Sequence, residues 1–383
     1  MRRVVILGST GSIGKNTLKV IAGLSREFRV VGLSAYSNVA TLIAQARRFN
    51  PKYVCLADEP AAKQARARLP SSYCVLSGQQ GLEDLIKMSN ADIVFMAIAG
   101  SNALLPLLVA IRCKKTIILA NKEALVIAGS IIMQLAKQNQ VQIFPVDSEQ
   151  SAIWQCLQGR QKTQIKKIYL TASGGPFKDY NSKQMGKITI NDVLTHPCWD
   201  MGRRITVDSG TLMNKGLEII EAMWLFDLRL SQIEVVIHPE AIIHSMVEFL
   251  DGIVLAQLSI TDMRIPIQYA LTYPRRLANR LKPLDFFKLK KLNFQKPDMK
   301  RFPCLRLAIE AAGEGGSLPC VLNAADEVAT QAFLNKIIKF VDIPEIIAQV
   351  ISRHKKIPRP NLEQILATDA WARFQAEQII RTY

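Results

Sequence analysis

Val4-Val5-Ile6-Leu7-Gly8-Ser9-Thr10-Gly11-Ser12-Ile13-Gly14 is the stretch whose reading decides the fold. Four apolar residues, three of them β-branched, read as a buried strand; glycines follow at three-residue spacing, and Thr17 to Leu24 repeats apolar residues at helical period. Glycines so placed permit a tight turn, admit backbone N–H groups close to a pyrophosphate, and aim a helix N-terminus at its charge. A glycine turn alone serves structure as readily as binding. The strand before it and the helix after it point to a dinucleotide site.

The second strand, Val30 to Leu33, runs into Ser34-Ala35-Tyr36-Ser37-Asn38. An NAD site needs an Asp or Glu here for the ribose 2′-hydroxyl. Its absence favours NADPH, although no Arg or Lys stands there to hold the 2′-phosphate. Further apolar runs at Ile93–Ala97, Thr116–Ala120 and Val141–Val146, with helical spacing over Ala40–Phe49 and Ala103–Ile111, imply βαβ units and a parallel sheet. The fold class expected is α/β: a Rossmann-like dinucleotide-binding domain over 1–147, a central α+β catalytic domain over 148–272, a linker over 273–302 and a small helical domain over 303–383. Strands are expected at Ile168–Leu170, Val235–Ile237 and Ile253–Ser259, and a helix at Leu217–Leu225. Ser173 to Arg204 is glycine-rich, long and aperiodic, as a flexible lid would be. Asp342 and Glu345 have capping-box spacing before the apolar face of Ile346, Ile347, Val350 and Ile351.

At 383 residues the chain exceeds one ordinary core. Hydrophobic residues at 49% and charged residues at 21% suit a globular protein throughout. The seven cysteines are scattered singly, which fits a reducing compartment. Met1-Arg2-Arg3 leads into an apolar run too short for a signal segment, and no run spans a bilayer, so a cytoplasmic protein without membrane contact is expected. The net charge of +17 raises nucleic-acid binding, but the basic residues are dispersed, as in Lys288-Leu289-Lys290-Lys291, without interleaved aromatics; no nucleic-acid partner is expected. A positive field also attracts anionic cofactors and phosphorylated substrates.

Asp147-Ser148-Glu149 closes the strand Val141–Val146. If the chain stays extended, the carboxylates at i and i+2 share a side and make an oxygen site for Mg²⁺ or Mn²⁺. If a helix starts here, Ser148 caps it and Glu149 occupies its first turn. Both readings stand on spacing. Asp208 to Glu218 gathers hydroxyl, amide, ammonium and carboxylate groups suited to a phosphorylated polyol: Ser209 and Asn214 for its oxygens, Lys215 for charge, Glu218 for a metal. Ser173-Gly174-Gly175 offers a hydroxyl on flexible backbone, and His196 with Trp199 a phosphate ligand and a cover. Taken singly, His196 reads as an ordinary loop histidine and Trp199 as a packed one.

In order along the chain, Gly8-Ser-Thr-Gly-Ser-Ile-Gly14, Ala120-Asn-Lys-Glu-Ala-Leu-Val126, Asp147-Ser-Glu149 and Leu322-Asn-Ala-Ala-Asp-Glu327 resemble the 1-deoxy-D-xylulose 5-phosphate reductoisomerase family of the non-mevalonate isoprenoid pathway. The resemblance implies NADPH contacts from Thr10, Gly11, Ser12, Ile13, Ser37, Asn38, Asn121, Glu123 and Gly202. It implies Asp147, Glu149 and Glu218 as ligands of Mg²⁺, Mn²⁺ or Co²⁺. Lys122, Ser148, Glu149, Ser173, His196, Trp199, Met201, Ser209, Asn214, Lys215 and Glu218 would surround the sugar phosphate, with Lys122, His196, Asp147, Glu149 and Glu218 in catalytic roles. A homodimer and binding of phosphonate hydroxamate inhibitors are implied as well. Tyr36 and Ser37 depart from a usual Gly and basic residue, and Gly210 from a usual Ala. A semialdehyde or homoserine dehydrogenase would share the first domain, but Cys156, the nearest thiol to the Asp147 site in sequence, has no recognisable activating histidine. A DNA-binding regulator would need a reading helix that no motif supplies.

Overall fold

The computed structural model describes residues 1–194 and 202–383, with Ser182 described by its backbone alone. Seven parallel strands form the first sheet: β1 (Arg2–Leu7), β2 (Phe28–Ala35), β3 (Tyr53–Leu56), β4 (Cys74–Ser77), β5 (Ile93–Met96), β6 (Thr116–Leu119) and β7 (Ile143–Pro145). Their order is β4-β3-β2-β1-β5-β6-β7. The strand order reverses between β1 and β5, and ligands of such sheets bind beyond the strand C-termini at that reversal. Val4, Val5, Ile6 and Leu7 are wholly buried, as a strand covered on both faces requires. The sequence reading does not include β3 and β4, whose short runs Tyr53-Val-Cys-Leu56 and Cys74-Val-Leu-Ser77 mix apolar with Cys, Tyr and Ser residues.

The chain divides into two compact units. The first holds 1–124, 132–147 and 262–279; the second holds 125–131, 148–261 and 280–383. This differs from the expected partition at its C-terminal end. Residues 262–279 return to the first unit because the helix Arg264–Thr272 packs on α1 (Ser12–Gly23), with Arg2 Nη1 donating to Leu271 O at 3.1 Å and Arg275 paired to Glu27 at 2.7 Å. The remainder of the supposed linker docks on the second sheet: Gln295 and Ile237 exchange two backbone hydrogen bonds of 2.9 Å, and Phe294 stacks on His238.

The second unit is built on β8 (Ile165–Ala172), β9 (Ile233–Ile237), β10 (Ile243–Phe249) and β11 (Val254–Leu258), in the order β11-β10-β8-β9. Helix α2 (Glu123–Gln138) starts in the first unit, is kinked at Ala128, and lends Leu125–Ile131 to the second. Helices α3 (Ser148–Cys156), α4 (Arg203–Thr211), α5 (Met213–Phe226), α6 (Pro303–Glu314), α7 (Leu318–Leu334), α8 (Asp342–Ser352) and α9 (Leu362–Ile380) complete it. Ile168 and Leu170 of the sheet, Leu217 of α5, Ala324 of α7, Ile346 of α8 and Ala376 of α9 belong to one continuous core. The C-terminal helices therefore form no compact unit of their own.

Two local expectations are corrected. Asp342 does not cap its own helix; its carboxylate accepts from Lys339 N–H at 2.7 Å, so it closes the preceding turn. The aperiodic stretch 173–204 carries short helices at Ser182–Met185 and Ile190–Leu194, and Arg203 already opens α4.

Candidate active site

In the first unit the glycine turn is latched from both sides. Gly8 N–H donates to Ser34 Oγ at 3.1 Å, Ser9 Oγ to Gln45 Oε1 at 2.7 Å, and Gln45 Nε2 back to Ser9 O at 2.9 Å. Gly8 has φ +85°, and a Cβ on it would lie 2.4 Å from Ala97 O. A Cβ on Gly14 would meet Gly8 O at 2.3 Å. Both positions demand glycine. Gly11 then stands at the N-cap of α1 with no side chain over the helix end, beside exposed Ser12 and half-buried Thr10 and Ile13. That leaves an electropositive helix terminus open at the sheet's reversal point. Ser37 and Asn38 are exposed, and Asn38 Oδ1 caps the next helix by accepting from Thr41 N–H at 3.1 Å.

Asn121 and Glu123 lie buried at the end of β6. Asn121 Nδ2 donates to Ile98 O, Gly100 O and Glu123 Oε2 at 2.8 to 3.0 Å, and its Oδ1 accepts from Ala124 N–H. Glu123 Oε1 accepts from Gly100 N–H at 3.2 Å. These side chains brace the β5 and β6 loops at the mouth of the crevice, a role that spacing alone does not signal. Between them Lys122 Nζ lies 2.5 Å from Asp147 Oδ2, which is buried and receives no other hydrogen bond among the described residues.

The chain passes from the first unit to the second between Asp147 and Ser148, where α3 begins. A helix starts here, with Ser148 as its first residue rather than its cap, so the extended i, i+2 geometry is not what orients the carboxylates. Ser148 Oγ donates to Glu149 Oε2 at 2.6 Å. Glu149 Oε1 accepts from Lys215 Nζ at 2.8 Å, and Glu218 Oε2 accepts from the same ammonium. Asn214 Nδ2 holds the other oxygen of Glu218 at 2.6 Å, and Gln150 Nε2 donates to Glu218 O. Burial opposes the charge of Lys215, but the two carboxylates outweigh it and hold its pKa above the ordinary value. Two anionic groups thus converge on one buried cation. His244 on β10 feels the charge of Glu149, though burial leaves its pKa below the usual imidazole range.

The hydroxyl groups come from a close backbone approach. A Cβ on Gly175, at φ +67°, would lie 2.8 Å from Ser209 O, and one on Gly210 would lie 3.1 Å from Phe177. The 173–177 loop after β8 therefore lies flat against the end of α4, bringing Ser173 and Ser209 to one region. Ser173 Oγ accepts from Gly175 N–H at 3.3 Å. At Leu212 the backbone turns left-handed, φ +59°, and redirects the chain from α4 into α5. Such a conformation is strained for a branched side chain and recurs at functional sites. Gly202 is the exposed N-cap of α4. His196, Trp199 and Met201 lie outside the described residues.

Three family models match the chain: one for 1-deoxy-D-xylulose 5-phosphate reductoisomerase over residues 4–129, its C-terminal domain over 143–226, and the DXP reductoisomerase C-terminal domain over 258–375. The 1-deoxy-D-xylulose 5-phosphate reductoisomerase of Caldanaerobacter subterraneus subsp. tengcongensis is 50% identical over all of both chains, and that of Pelotomaculum thermopropionicum 48% identical over 100% of this chain and 99% of its own. The chain belongs to the 1-deoxy-D-xylulose 5-phosphate reductoisomerase family. The solved reductoisomerase of Zymomonas mobilis in complex with NADPH is 40% identical, covers both chains fully and superposes with a TM-score of 0.92. A DOX-P reductoisomerase in complex with NADPH, fosmidomycin and magnesium is also 40% identical, with a TM-score of 0.92 over 100% of this chain and 98% of its own.

The motifs on which family membership could be read are those with a covalent signature: the glycine turn, the paired acids, the Asn-Lys pair. The bracing groups were not legible. Gln150 and His244 sit in ordinary helix and strand contexts, and only packing brings them to Glu218 and Glu149. Among the described residues no three His, Cys, Asp or Glu side chains gather as a ready metal cage. Within the second unit, Glu149 and Glu218 already flank a cation and offer carboxylate oxygens of the kind a hard divalent ion takes.

Proposed function

We propose that this chain converts 1-deoxy-D-xylulose 5-phosphate and NADPH, with a proton, to 2-C-methyl-D-erythritol 4-phosphate and NADP⁺. The observation that carries the reading is the convergence of Glu149 and Glu218 on buried Lys215, with Asn214 beside them, in a chain whose other unit presents an open glycine turn. Thr10, Gly11, Ser12 and Ile13 at the N-terminus of α1 would receive the cofactor's pyrophosphate, and Ser37 and Asn38 its ribose. Asn121 and Glu123 act by holding the loops around that site. NADPH, when bound, supplies hydride to the rearranged aldehyde.

Asp147, Glu149 and Glu218 would hold Mg²⁺, Mn²⁺ or Co²⁺, which supplies Lewis acidity toward the substrate's carbonyl and hydroxyl oxygens. Lys215 and Lys122 keep these carboxylates oriented and balance their charge. Ser173, Ser209 and Asn214 would donate to phosphate and hydroxyl oxygens, with Ser148 orienting Glu149. His196, Trp199 and Met201 complete the substrate contacts by family pattern. Relatives named for complexes with fosmidomycin support the expectation that phosphonate hydroxamates bind here too.

The test is NADPH oxidation by purified protein with substrate and divalent cation supplied together and each omitted. Loss of signal in every omission supports the reading. Oxidation without the cation, or none with all components, defeats it. A cytoplasmic homodimer belongs to the same proposal; no helix among the described residues is long and apolar enough to cross a membrane, and β11 is a sheet edge with Leu250, Ile253 and Val254 exposed beside it. Light scattering on the eluted protein distinguishes dimer from monomer.

A further inference from the structure

α4 carries Ser209 yet has little of its own to set its rotation. It is nine residues long and ends at the left-handed Leu212. Besides the 173–177 loop against its end and buried Val207, it is held by a polar constellation on the face of Arg204 and Asp208, which lie one turn apart. Arg204 Nη1 pairs with Glu327 Oε1 at 2.9 Å, Nη2 lies 3.6 Å from Asp326 Oδ2, and Nε lies 3.6 Å from Asp208 Oδ2. Thr330 Oγ1 donates to Asp208 Oδ1 at 3.3 Å. α4 is therefore tied to α7 at two points. Glu327 in turn accepts from Arg373 of α9 at 2.6 Å, and Arg373 from its other side pairs with Asp369 at 2.7 Å.

Asp326 is wholly buried, and among the described residues no hydrogen bond of ordinary geometry reaches either of its oxygens. A buried ionic cluster costs desolvation that apolar packing would avoid, so its value lies in register more than in stability. Ser209 follows Asp208 by one residue, about 100° round the helix. A rotation of α4 that loosened Arg204 would swing the Ser209 hydroxyl.

We propose that Arg204, held by Asp208, Asp326 and Glu327, is a positioning residue for the substrate's phosphate, acting through Ser209. This rests on the reading of Ser209 as a substrate contact. Arg204 itself touches neither substrate nor cofactor; it sets the rotation of the helix that presents the hydroxyl.

The experiment is a double-mutant cycle on steady-state kinetics with magnesium and NADPH saturating. Arg204→Met keeps the aliphatic stem and removes the guanidinium. It raises the KM for 1-deoxy-D-xylulose 5-phosphate by about tenfold, the scale of one charge-assisted hydrogen bond, with kcat little changed and NADPH Kd unchanged. Arg204→Lys recovers part of the loss. Ser209→Ala raises KM by itself, and Arg204→Met adds nothing in that background. If Arg204→Met fails to fold, as a thermal melt will report, Glu327→Gln takes its place in the cycle with the same expectation. An unchanged KM in Ser209→Ala would refute the contact itself and the proposal with it. A KM effect in Ser209→Ala that simply multiplies with that of Arg204→Met, or no effect of Arg204→Met at all, would overturn the coupling and leave the contact standing.

Discussion

Lys215 shows how one residue organises the chemistry. Its ammonium lies between Glu149 and Glu218 in a fully buried setting, so each charge is tolerable only because the others are present. Removing it leaves two carboxylates facing each other: Lys215→Met should cost about 3–5 kcal/mol of stability, seen as a lowered Tm, the usual consequence of an uncompensated buried charge. A Tm equal to the parent's would show that the pair is not coupled as drawn. Glu218→Gln has a different expected outcome. It keeps the shape and the Asn214 contact region but removes a carboxylate of the proposed metal shell, so turnover should nearly vanish while NADPH titrates as in the parent. Metal-dependent turnover at the parent rate in Glu218→Gln would remove Glu218 from the proposed metal shell.

At the scale of elements, two close approaches decide where functional groups sit. α5 packs on α6 through Gly216, where an added Cβ would meet Ala308 Cβ at 2.3 Å. Gly216→Ala should separate the helices, cost about 1–3 kcal/mol as overpacking does, and displace Asn214, Lys215 and Glu218 enough to lower kcat/KM; thermal melts and initial rates read both. The glycine turn behaves likewise. Gly14→Ala places its methyl on Gly8 O, so NADPH affinity should fall, and undiminished cofactor binding would show that the turn can relax. The turn after β2 bears on cofactor choice: Tyr36, Ser37 and Asn38 put no acid at its tip to repel a 2′-phosphate. NADPH should therefore be preferred over NADH in kcat/KM, by less than in relatives with a basic residue there. Equal values would contradict this.

Across the whole molecule, the buried network reaching from Arg204 to Asp369 ties stability to pH. Burial and the neighbouring Asp208 raise the Asp326 carboxyl well above the usual range, whereas Arg204 and Arg373 outweigh burial to keep Glu327 below it. For Asp326 the folded state favours the proton, so its contribution is fully present below the unfolded pKa of about 3.9 and is lost as pH rises through the folded value. Asp326→Asn cannot lose that proton, so its stability relative to the parent should climb with pH above about 4; parallel melting curves across pH would exclude a proton on Asp326. The sequence by itself determined the parallel sheet of the first unit, the glycine turn and the candidate acids, because these depend on local periodicity, on φ values open only to glycine, and on groups adjacent in the chain. It left open whether a helix starts at Ser148, and it did not determine that Glu149 and Glu218 share Lys215 across 66 and 3 residues of chain, or that Asn121 braces loops with its whole amide. Nor did it show residues 262–279 returning to the first unit, or the C-terminal helices sharing the second unit's core. Apart from the helix start and the i, i+3 pair of Lys215 with Glu218, those are contacts between residues distant in sequence, and only burial and packing of the folded chain select among the partners that composition leaves equally available.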